Sequence, residues 1–214
     1  MSEIYFPSCN FTKMAPPAAK AIRSYLAEKM QVAGCCRVDK LAYEEGLTGL
    51  YFCQACRETL ENRVPGKYQL KNLFEYLVDD KDFPWPDYSG LIATVQDCWR
   101  DRNHPEIHEA VRKALAKMKV RVIEMEENRE KAVYCGNIHF EPHKPENILL
   151  MEQYKDKPLV LAPEEVQKKL FEEQAEKYPC DNVITYCNRC TLCIRTVGVN
   201  GIHLMELAMG TYGA

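Results

Sequence analysis

Five cysteines lie within residues 9–56, and their spacing suggests a metal cluster. They comprise a single cysteine, an adjacent pair and a Cys-x-x-Cys pair: Cys9, Cys35, Cys36, Cys53 and Cys56. Four thiolates satisfy a tetrahedral zinc ion or the four corners of a cubane [4Fe-4S] cluster. A fifth thiolate therefore favours an opened, non-cubane iron-sulfur cluster in which one sulfur bridges two irons. A structural zinc site with one spare thiol is the simpler alternative.

A second group of four cysteines follows in a similar order, namely Cys98, Cys135, Cys187 and Cys190. Tyr134 stands where the first group has Cys35, so this group has one thiol fewer. Four thiolates fit either a cubane [4Fe-4S] cluster or a zinc ion, and the sequence leaves both open.

The two remaining cysteines are weaker candidates for metal ligands. Cys193 follows Cys190 by one helical turn, but Thr59 occupies the equivalent position after the first group. The Cys-x-x-Cys-x-x-Cys run that Cys193 completes resembles the start of a ferredoxin motif, yet Val197 stands where the fourth cysteine would be. We therefore reject a ferredoxin site. Cys180 has no counterpart, and we expect it to be a packed or surface thiol.

The cysteine pattern belongs to a longer internal repeat. Cys9, Pro16, Arg23 and Leu26 match Cys98, Pro105, Arg112 and Leu115 at a constant shift of 89 residues. Cys53, Cys56, Leu70 and Leu73 match Cys187, Cys190, Leu204 and Leu207 at a constant shift of 134 residues. We infer a duplicated strand-helix unit, with an inserted segment at about 137–179 in the second copy.

Short apolar runs predict strands that lead to the cysteines. The predicted strands are residues 4–6, 31–34, 47–52, 91–95, 120–125 and 183–186. The predicted helices are residues 16–30, a helix from about 57, and residues 69–78, 105–119 and 163–177, with a turn at Pro65-Gly66. Cys9 is expected in the turn after the first strand. A thiol between a strand and a helix ionises more readily, because the helix dipole stabilises its thiolate.

These elements predict an α/β fold of two related small lobes, each built of mostly parallel strands flanked by helices. The clusters are expected at the carboxyl ends of the strands. The first lobe is predicted at residues 1–78 and the second at 91–214. Between them, residues 79–90 are rich in aspartate and proline and predict a linker.

Composition narrows the possible partners. The chain has 214 residues, of which 46% are hydrophobic, and its net charge of -3 gives no electrostatic reason to expect nucleic acid. No apolar run approaches the length that spans a bilayer, and the amino terminus lacks a signal-peptide pattern. We therefore expect a soluble, cytoplasmic protein without membrane insertion. Because disulfides do not persist in a reducing compartment, its eleven cysteines point to metal ligation.

The two cysteine groups together resemble the cysteine-rich CCG-domain family, whose members include the CCG-type subunit of heterodisulfide reductase. The resemblance covers nearly the whole chain. It implies that the first group binds a non-cubane [4Fe-4S] cluster, that the second group binds a second centre, and that a disulfide is cleaved at cluster iron. The chain departs from the family pattern at Arg37, where glycine or proline is usual, at Tyr134, and in lacking a helix between the vicinal pair and the first Cys-x-x-Cys.

The expected function is that of an iron-sulfur oxidoreductase component. It would exchange electrons with a small thiol or disulfide substrate, or with a redox partner subunit of the ferredoxin-like or flavin-containing kind. The sequence has no glycine-rich loop for a nucleotide or flavin of its own. Trp99, Tyr134 and His203 are expected beside the clusters, and the sequence leaves open whether they line a substrate opening or exclude water. The alternative is a non-catalytic interaction subunit of a larger redox complex, stabilised by zinc or a cubane cluster.

Four histidines are expected to play no part in metal binding, namely His104, His108, His139 and His143. Pro105 makes His104 a residue of the helix cap, which argues against a ligand pair with His108. His139 and His143 fall in a proline-containing loop.

Overall fold

The computed structural model describes residues 3–43, 45–63 and 69–213. The chain divides into two units. Unit 1 comprises Met1–Asp87, Glu109–Met118 and Met205–Ala214, and unit 2 comprises Tyr88–His108 and Lys119–Leu204. The lobe boundaries drawn from the sequence stay a prediction.

Unit 1 contains a parallel four-stranded sheet. Its elements are β1 (Glu3–Tyr5), α1 (Cys9–Met14), α2 (Pro16–Ala27), β2 (Gln31–Val32), β3 (Thr48–Tyr51), α3 (Gln54–Arg63), β4 (Gln69–Asn72) and α4 (Leu73–Asp79), with a short 3-10 turn at Lys40–Tyr43. The strand order is β2-β1-β3-β4, and each pairing is parallel. Strands that run parallel end at one edge of the sheet, so the residues after β1 and β3 fall on the same side.

Unit 2 contains a second four-stranded sheet together with an inserted segment. Its sheet strands are β5 (Ile92–Gln96), β6 (Arg121–Val122), β9 (Asn182–Thr185) and β10 (Asn200–His203). An antiparallel hairpin pairs β7 (Tyr134–Cys135), which lies just before the insertion, with β8 (His139–Phe140), which lies within it. The helices from here to the carboxyl terminus are α5 (Pro105–Lys117), α6 (Pro145–Glu152), α7 (Glu164–Ala175), α8 (Asn188–Thr196) and α9 (Leu204–Ala208). Short 3-10 turns lie at Trp99–Asp101, Arg129–Lys131 and Leu159–Leu161.

The two sheets have the same topology, which confirms the predicted α/β fold of two related lobes. The second sheet has the order β10-β9-β5-β6, with all pairings parallel. Read from its other edge, this order is β6-β5-β9-β10. It matches the order β2-β1-β3-β4 of the first sheet strand by strand, so β5 corresponds to β1 and β9 corresponds to β3. Cys53 follows β3 and Cys187 follows β9, so the shift of 134 residues holds at the two Cys-x-x-Cys pairs.

The predicted helix at residues 69–78 is wrong in its first half. Gln69 to Asn72 form β4, which pairs with β3, and the helix α4 begins only at Leu73. The side chain of Asn72 accepts a hydrogen bond from the Phe74 N–H at 2.9 Å, and Glu75 accepts from the Asn72 N–H at 2.9 Å. This capping box fixes the start of the helix. As a result Leu73, and not Leu70, is equivalent to Leu204, the first residue of α9.

The other helices lie close to their predictions. Helix α2 begins at Pro16 as expected and buries Ala18, Ile22 and Leu26 on one face, but it ends at Ala27, three residues before the predicted end. Cys9 is the first residue of α1 and does not lie in a turn, because Ser8 caps that helix by accepting from the Phe11 N–H at 3.2 Å. The predicted turn at Pro65-Gly66 lies outside the described residues. None of the described helices is long and apolar enough to cross a bilayer.

Candidate metal centres

The compact cysteine group of unit 2 is assembled from three segments. Cys98 follows β5, Cys135 ends β7, and Cys187 and Cys190 lie at the start of α8. The four sulfurs all lie within 4.8 Å of one another, and all four cysteines are buried. The structure thus brings together the four residues that the sequence singled out as the second centre. This buried group can hold a metal.

Cys98 is positioned by a buried hydrogen-bond network that the sequence analysis missed. Its backbone N–H donates to the Tyr186 hydroxyl oxygen at 3.2 Å, and that hydroxyl donates to the Asp97 carboxylate at 3.1 Å. The other Asp97 oxygen accepts from the Arg129 N–H at 2.8 Å. Burial is the main cause that raises the pKa of Tyr186 well above its usual range, so this hydroxyl remains a donor. The only signal in the sequence was an acidic residue directly before a cysteine.

The Cys-x-x-Cys pair of unit 2 lies at the positive end of a helix. Cys187 is the N-cap residue of α8, and its carbonyl accepts from the Thr191 N–H at 3.0 Å. Cys190 lies in the first turn of this helix, so both sulfurs project from its amino-terminal end. Free backbone N–H groups and the helix dipole stabilise negative charge there. The local sequence therefore sets the spacing of the Cys187 and Cys190 thiols and places them at a helix end whose electric field stabilises thiolates.

The four thiols of unit 2 share their hydrogen bonds among themselves. Hydrogen bonds from Cys187, and then from Cys190 and Cys98, lower the pKa of Cys135 well below its usual range. Burial, and then hydrogen bonds to the neighbouring thiols, raise the pKa of Cys98. Although its contact with Cys135 opposes the change, hydrogen bonds from Cys190 and Cys98 lower the pKa of Cys187 as well. The group therefore accommodates one or two thiolates more easily than four, because buried like charges repel one another. A bound cation would remove that cost, which is why an all-sulfur group of this kind suits zinc or an iron-sulfur cluster.

The five cysteines of unit 1 form a chain of contacts, without the compact grouping found in unit 2. Side-chain hydrogen bonds join them in the order Cys9, Cys35, Cys36, Cys56 and Cys53. Cys9 is exposed and Cys35 is half-buried, whereas the other three are buried. All five thiols predicted for the first centre thus lie in one continuous cluster. Their role as ligands stays a prediction.

The local structure around the unit 1 thiols favours one thiolate at Cys36. A hydrogen bond from Cys56 is the largest cause that lowers the pKa of Cys36 to about 7. The same hydrogen bond between Cys36 and Cys56 raises the pKa of Cys56. Burial and a hydrogen bond to Cys35 raise the pKa of Cys9. The backbone carbonyl of the adjacent Cys35 accepts hydrogen bonds from the N–H groups of Val38 and Asp39. These bonds hold the vicinal pair in a turn after β2. A thiolate at neutral pH is the form that binds metal.

Cys193 and Cys180 lie outside the group of four. The Cys193 thiol donates to the Gly136 carbonyl at 3.4 Å, and burial raises its pKa to about 12. A Cβ on Gly136 would lie 2.7 Å from the Cys193 sulfur and 3.0 Å from the Tyr134 hydroxyl, so only glycine fits there. Cys180 is half-buried and donates to the Asn182 carbonyl at 3.5 Å.

The aromatic residues and histidines near these cysteines are mostly engaged in packing. Tyr134 and His203 are fully buried, which agrees with the exclusion of water and not with the lining of a substrate opening. Burial lowers the pKa of His203 to about 3, which keeps its ring neutral. Trp99 is half-buried, stacks on His139 with ring centroids 4.1 Å apart, and has the Arg102 guanidinium 3.8 Å above its ring.

Three histidines that are half-buried or exposed bond to carboxylates. His104 pairs with Glu106, His139 with Glu141 and His143 with Glu127, at 2.7, 2.8 and 2.7 Å.

No protein-family model, no curated protein and no solved structure matches this chain.

Proposed function

We propose that this protein is an iron-sulfur oxidoreductase component similar to the heterodisulfide reductase members of the CCG-domain family. In this proposal unit 1 binds a non-cubane [4Fe-4S] cluster and exchanges electrons with a thiol or disulfide substrate, or with a redox partner. The observation that carries the proposal is the continuous chain of five thiols in unit 1.

The number and placement of the thiols argue for a cluster of several irons. A tetrahedral ion and a closed cube each use four thiolates, so a fifth sulfur in contact with the others has no place in either. Cys36 bonds both Cys35 and Cys56, so the vicinal pair links the less buried thiols to the buried ones. The extended order of the five sulfurs agrees with a cluster that is longer than a single metal ion.

The residues around unit 1 would protect one side of such a cluster and leave the other side open. Cys36, Cys53 and Cys56 are buried among Ile4, Phe6 and Leu60, whereas Cys9 is exposed. An apolar surround limits water at the buried side. When bound, cluster iron supplies a Lewis acid for sulfur together with a path for electrons. The electrons would come from a ferredoxin-like or flavin-containing partner subunit, in a reducing compartment such as the cytoplasm.

The second centre is proposed to be structural, with zinc favoured over a cubane cluster. Zinc-sulfur bonds of about 2.3 Å place the four sulfurs of a tetrahedral site about 3.8 Å apart. The sulfurs of Cys98, Cys135, Cys187 and Cys190 all lie within 4.8 Å of one another. Thiolates that bind four different irons of a cube stand farther apart. The compact spacing therefore agrees better with one ion.

The second candidate function is a non-catalytic interaction subunit in which both centres are structural. The burial of Cys36, Cys53 and Cys56 favours it, because a structural ion needs no open coordination position. Under this alternative the unit 1 thiols hold a zinc ion and one of the five is spare.

Metal and sulfide analysis of anaerobically prepared protein tests the proposal. We expect about four irons and about four acid-labile sulfides per chain. The Cys35→Ser variant should lose much of this iron and sulfide, while the control Cys180→Ser should keep both. Zinc without sulfide in the unaltered protein would contradict the iron-sulfur proposal and support the interaction subunit.

A further inference from the structure

A cleft of about 530 Å³ lies in unit 1 beside two of the five cysteines. Cys9 and Cys35 line it, as do the apolar residues Pro7, Pro16 and Ala19. These two are also the least buried thiols of the group, so the cleft is the side from which a molecule in solution can reach them. Its volume lies within the range of pockets that bind small molecules.

The polar lining of this cleft is strongly cationic. Lys13, Lys20 and Arg23 all line it and are all exposed. The sequence from residue 4 to residue 27 contains these three cations and neither aspartate nor glutamate, in a chain whose net charge is -3. None of the three cations forms an ion pair with any carboxylate in the described part of the chain. Their charge is therefore available to a bound anion.

The packing of α2 fixes the direction of these charges. Pro16, Ala19, Lys20 and Arg23 are spaced as i, i+3, i+4 and i+7 and so share one face of the helix. The residues that anchor α2 in the core, Ala18, Ile22 and Leu26, lie on the buried face. Burial of that face leaves Lys20 and Arg23 directed to the cleft.

The carboxylate that contacts the cleft wall is already engaged with the backbone. Asp39 contacts the lining residue Gly34 and accepts hydrogen bonds from the N–H groups of Gly34 and Leu41, the latter at 2.9 Å. Asp39 thus serves to hold the turn that contains Cys35. Among the described residues, Asp39 forms no ion pair with Lys13, Lys20 or Arg23.

We propose that this cleft binds a small organic thiol or disulfide that carries at least two negative charges. Its anionic groups, such as carboxylates, bind Lys13, Lys20 and Arg23, and its sulfur points to Cys9 and Cys35. The anionic character follows from the cleft alone, while the sulfur chemistry rests on the proposed function. A neutral thiol of the same size makes none of the charged contacts, so the cleft selects against it.

Calorimetric titration of the full anaerobic chain at low ionic strength tests this proposal. The probes are mercaptosuccinate, a thiol with two carboxylates, and thioglycerol, a neutral thiol of similar size. Mercaptosuccinate should bind at least about tenfold more tightly than thioglycerol. The double variant Lys20→Gln/Arg23→Gln should lose about tenfold in affinity for mercaptosuccinate. The control Lys113→Gln/Lys117→Gln removes two exposed charges from α5 that do not line the cleft, and it should bind like the unaltered protein.

Two results would overturn the inference. One is equal affinity for the two probes, and the other is an equal loss of affinity in the two double variants. Iron and sulfide measured on the same samples keep the two proposals apart. Selective mercaptosuccinate binding without sulfide would refute the iron-sulfur function and leave the anion cleft standing, whereas full sulfide content without selective binding would refute the cleft.

Discussion

The two sheets have the same topology, but the thiol sets beside them differ, and the difference shows that one strand order can present cysteines in two arrangements. In unit 2 the four sulfurs lie within 4.8 Å of one another and are completely buried. In unit 1 five sulfurs form an extended chain that ends at the exposed Cys9. The compact buried set suits a structural ion, and the open extended set suits chemistry on a bound molecule.

The largest expected effect comes from removing one thiol of the compact set. In Cys135→Ser, three buried thiols lose their shared partner, so we expect loss of the unit 2 metal and about 3 kcal/mol or more of unfolding free energy. Cys35→Ser in unit 1 should cost less than about 1 kcal/mol, because that residue is half-buried. Metal analysis and urea denaturation of both variants measure the contrast. Equal losses of stability would contradict a structural role confined to unit 2.

The tyrosine that replaces the vicinal cysteine in unit 2 has a packing role that a thiol cannot fill. The Tyr134 ring makes edge contacts with Phe140 and Phe171, with centroids 5.7 and 5.9 Å apart. We expect Tyr134→Cys to cost about 3 kcal/mol of unfolding free energy and to add no iron. The control Tyr134→Phe keeps both ring contacts and should lose less than about 1 kcal/mol. A gain of iron in Tyr134→Cys would show that the two sites differ by this residue alone.

The inserted segment of unit 2, which unit 1 lacks, is held by a buried carboxylate. The Glu173 carboxylate accepts hydrogen bonds from the N–H groups of His143 and Lys144 and from the Asn147 side chain. Burial by itself raises the pKa of Glu173, but these hydrogen bonds outweigh it and lower the pKa below the usual 4.5. Glu173→Gln should cost about 1 kcal/mol at pH 7. Because the folded pKa is depressed, this stabilisation is present above pH 4.5 and disappears as the pH falls through the folded pKa.

Urea denaturation at pH 7 and at successively lower pH measures this difference for Glu173. The control is Glu172→Gln, since Glu172 is exposed and, among the described residues, its side chain has only a 3.8 Å ion pair with Lys168. A difference between the unaltered protein and Glu173→Gln that stayed constant down to low pH would contradict the assigned role.

An effect about as large as that of Glu173→Gln is expected at the residue that precedes the first cysteine of unit 1. Ser8 caps α1 in unit 1, whereas in unit 2 the corresponding residue, Asp97, bonds Tyr186 and Arg129. Ser8→Ala should cost about 1 kcal/mol, since one helix N–H loses its acceptor. The exposed neighbour Asn10→Ala serves as the control in the same thermal denaturation measurement, and equal melting temperatures would argue against the cap.

The repeated order of strands, helices and cysteines could be predicted from the amino-acid sequence alone. The positions of Cys53 and Cys187 after a strand and before a helix depend on residues within a few positions, so local patterns were enough to predict them. The same reasoning failed at Gln69 to Asn72, because a short run of mixed residues fits a strand or a helix equally well locally. Pairing with β3 decided the outcome, and that partner is distant in the sequence.

Which thiols lie together, and how exposed they are, depends on the three-dimensional fold. The distances between the sulfurs of Cys98, Cys135, Cys187 and Cys190 depend on a parallel sheet and a hairpin. These elements bring together residues that lie dozens of positions apart in the sequence. The same holds for the cationic cleft, in which α1, α2 and the turn at Cys35 contribute lining residues. A sequence encodes such proximity through the sum of many weak packing contacts, and a single motif does not reveal it.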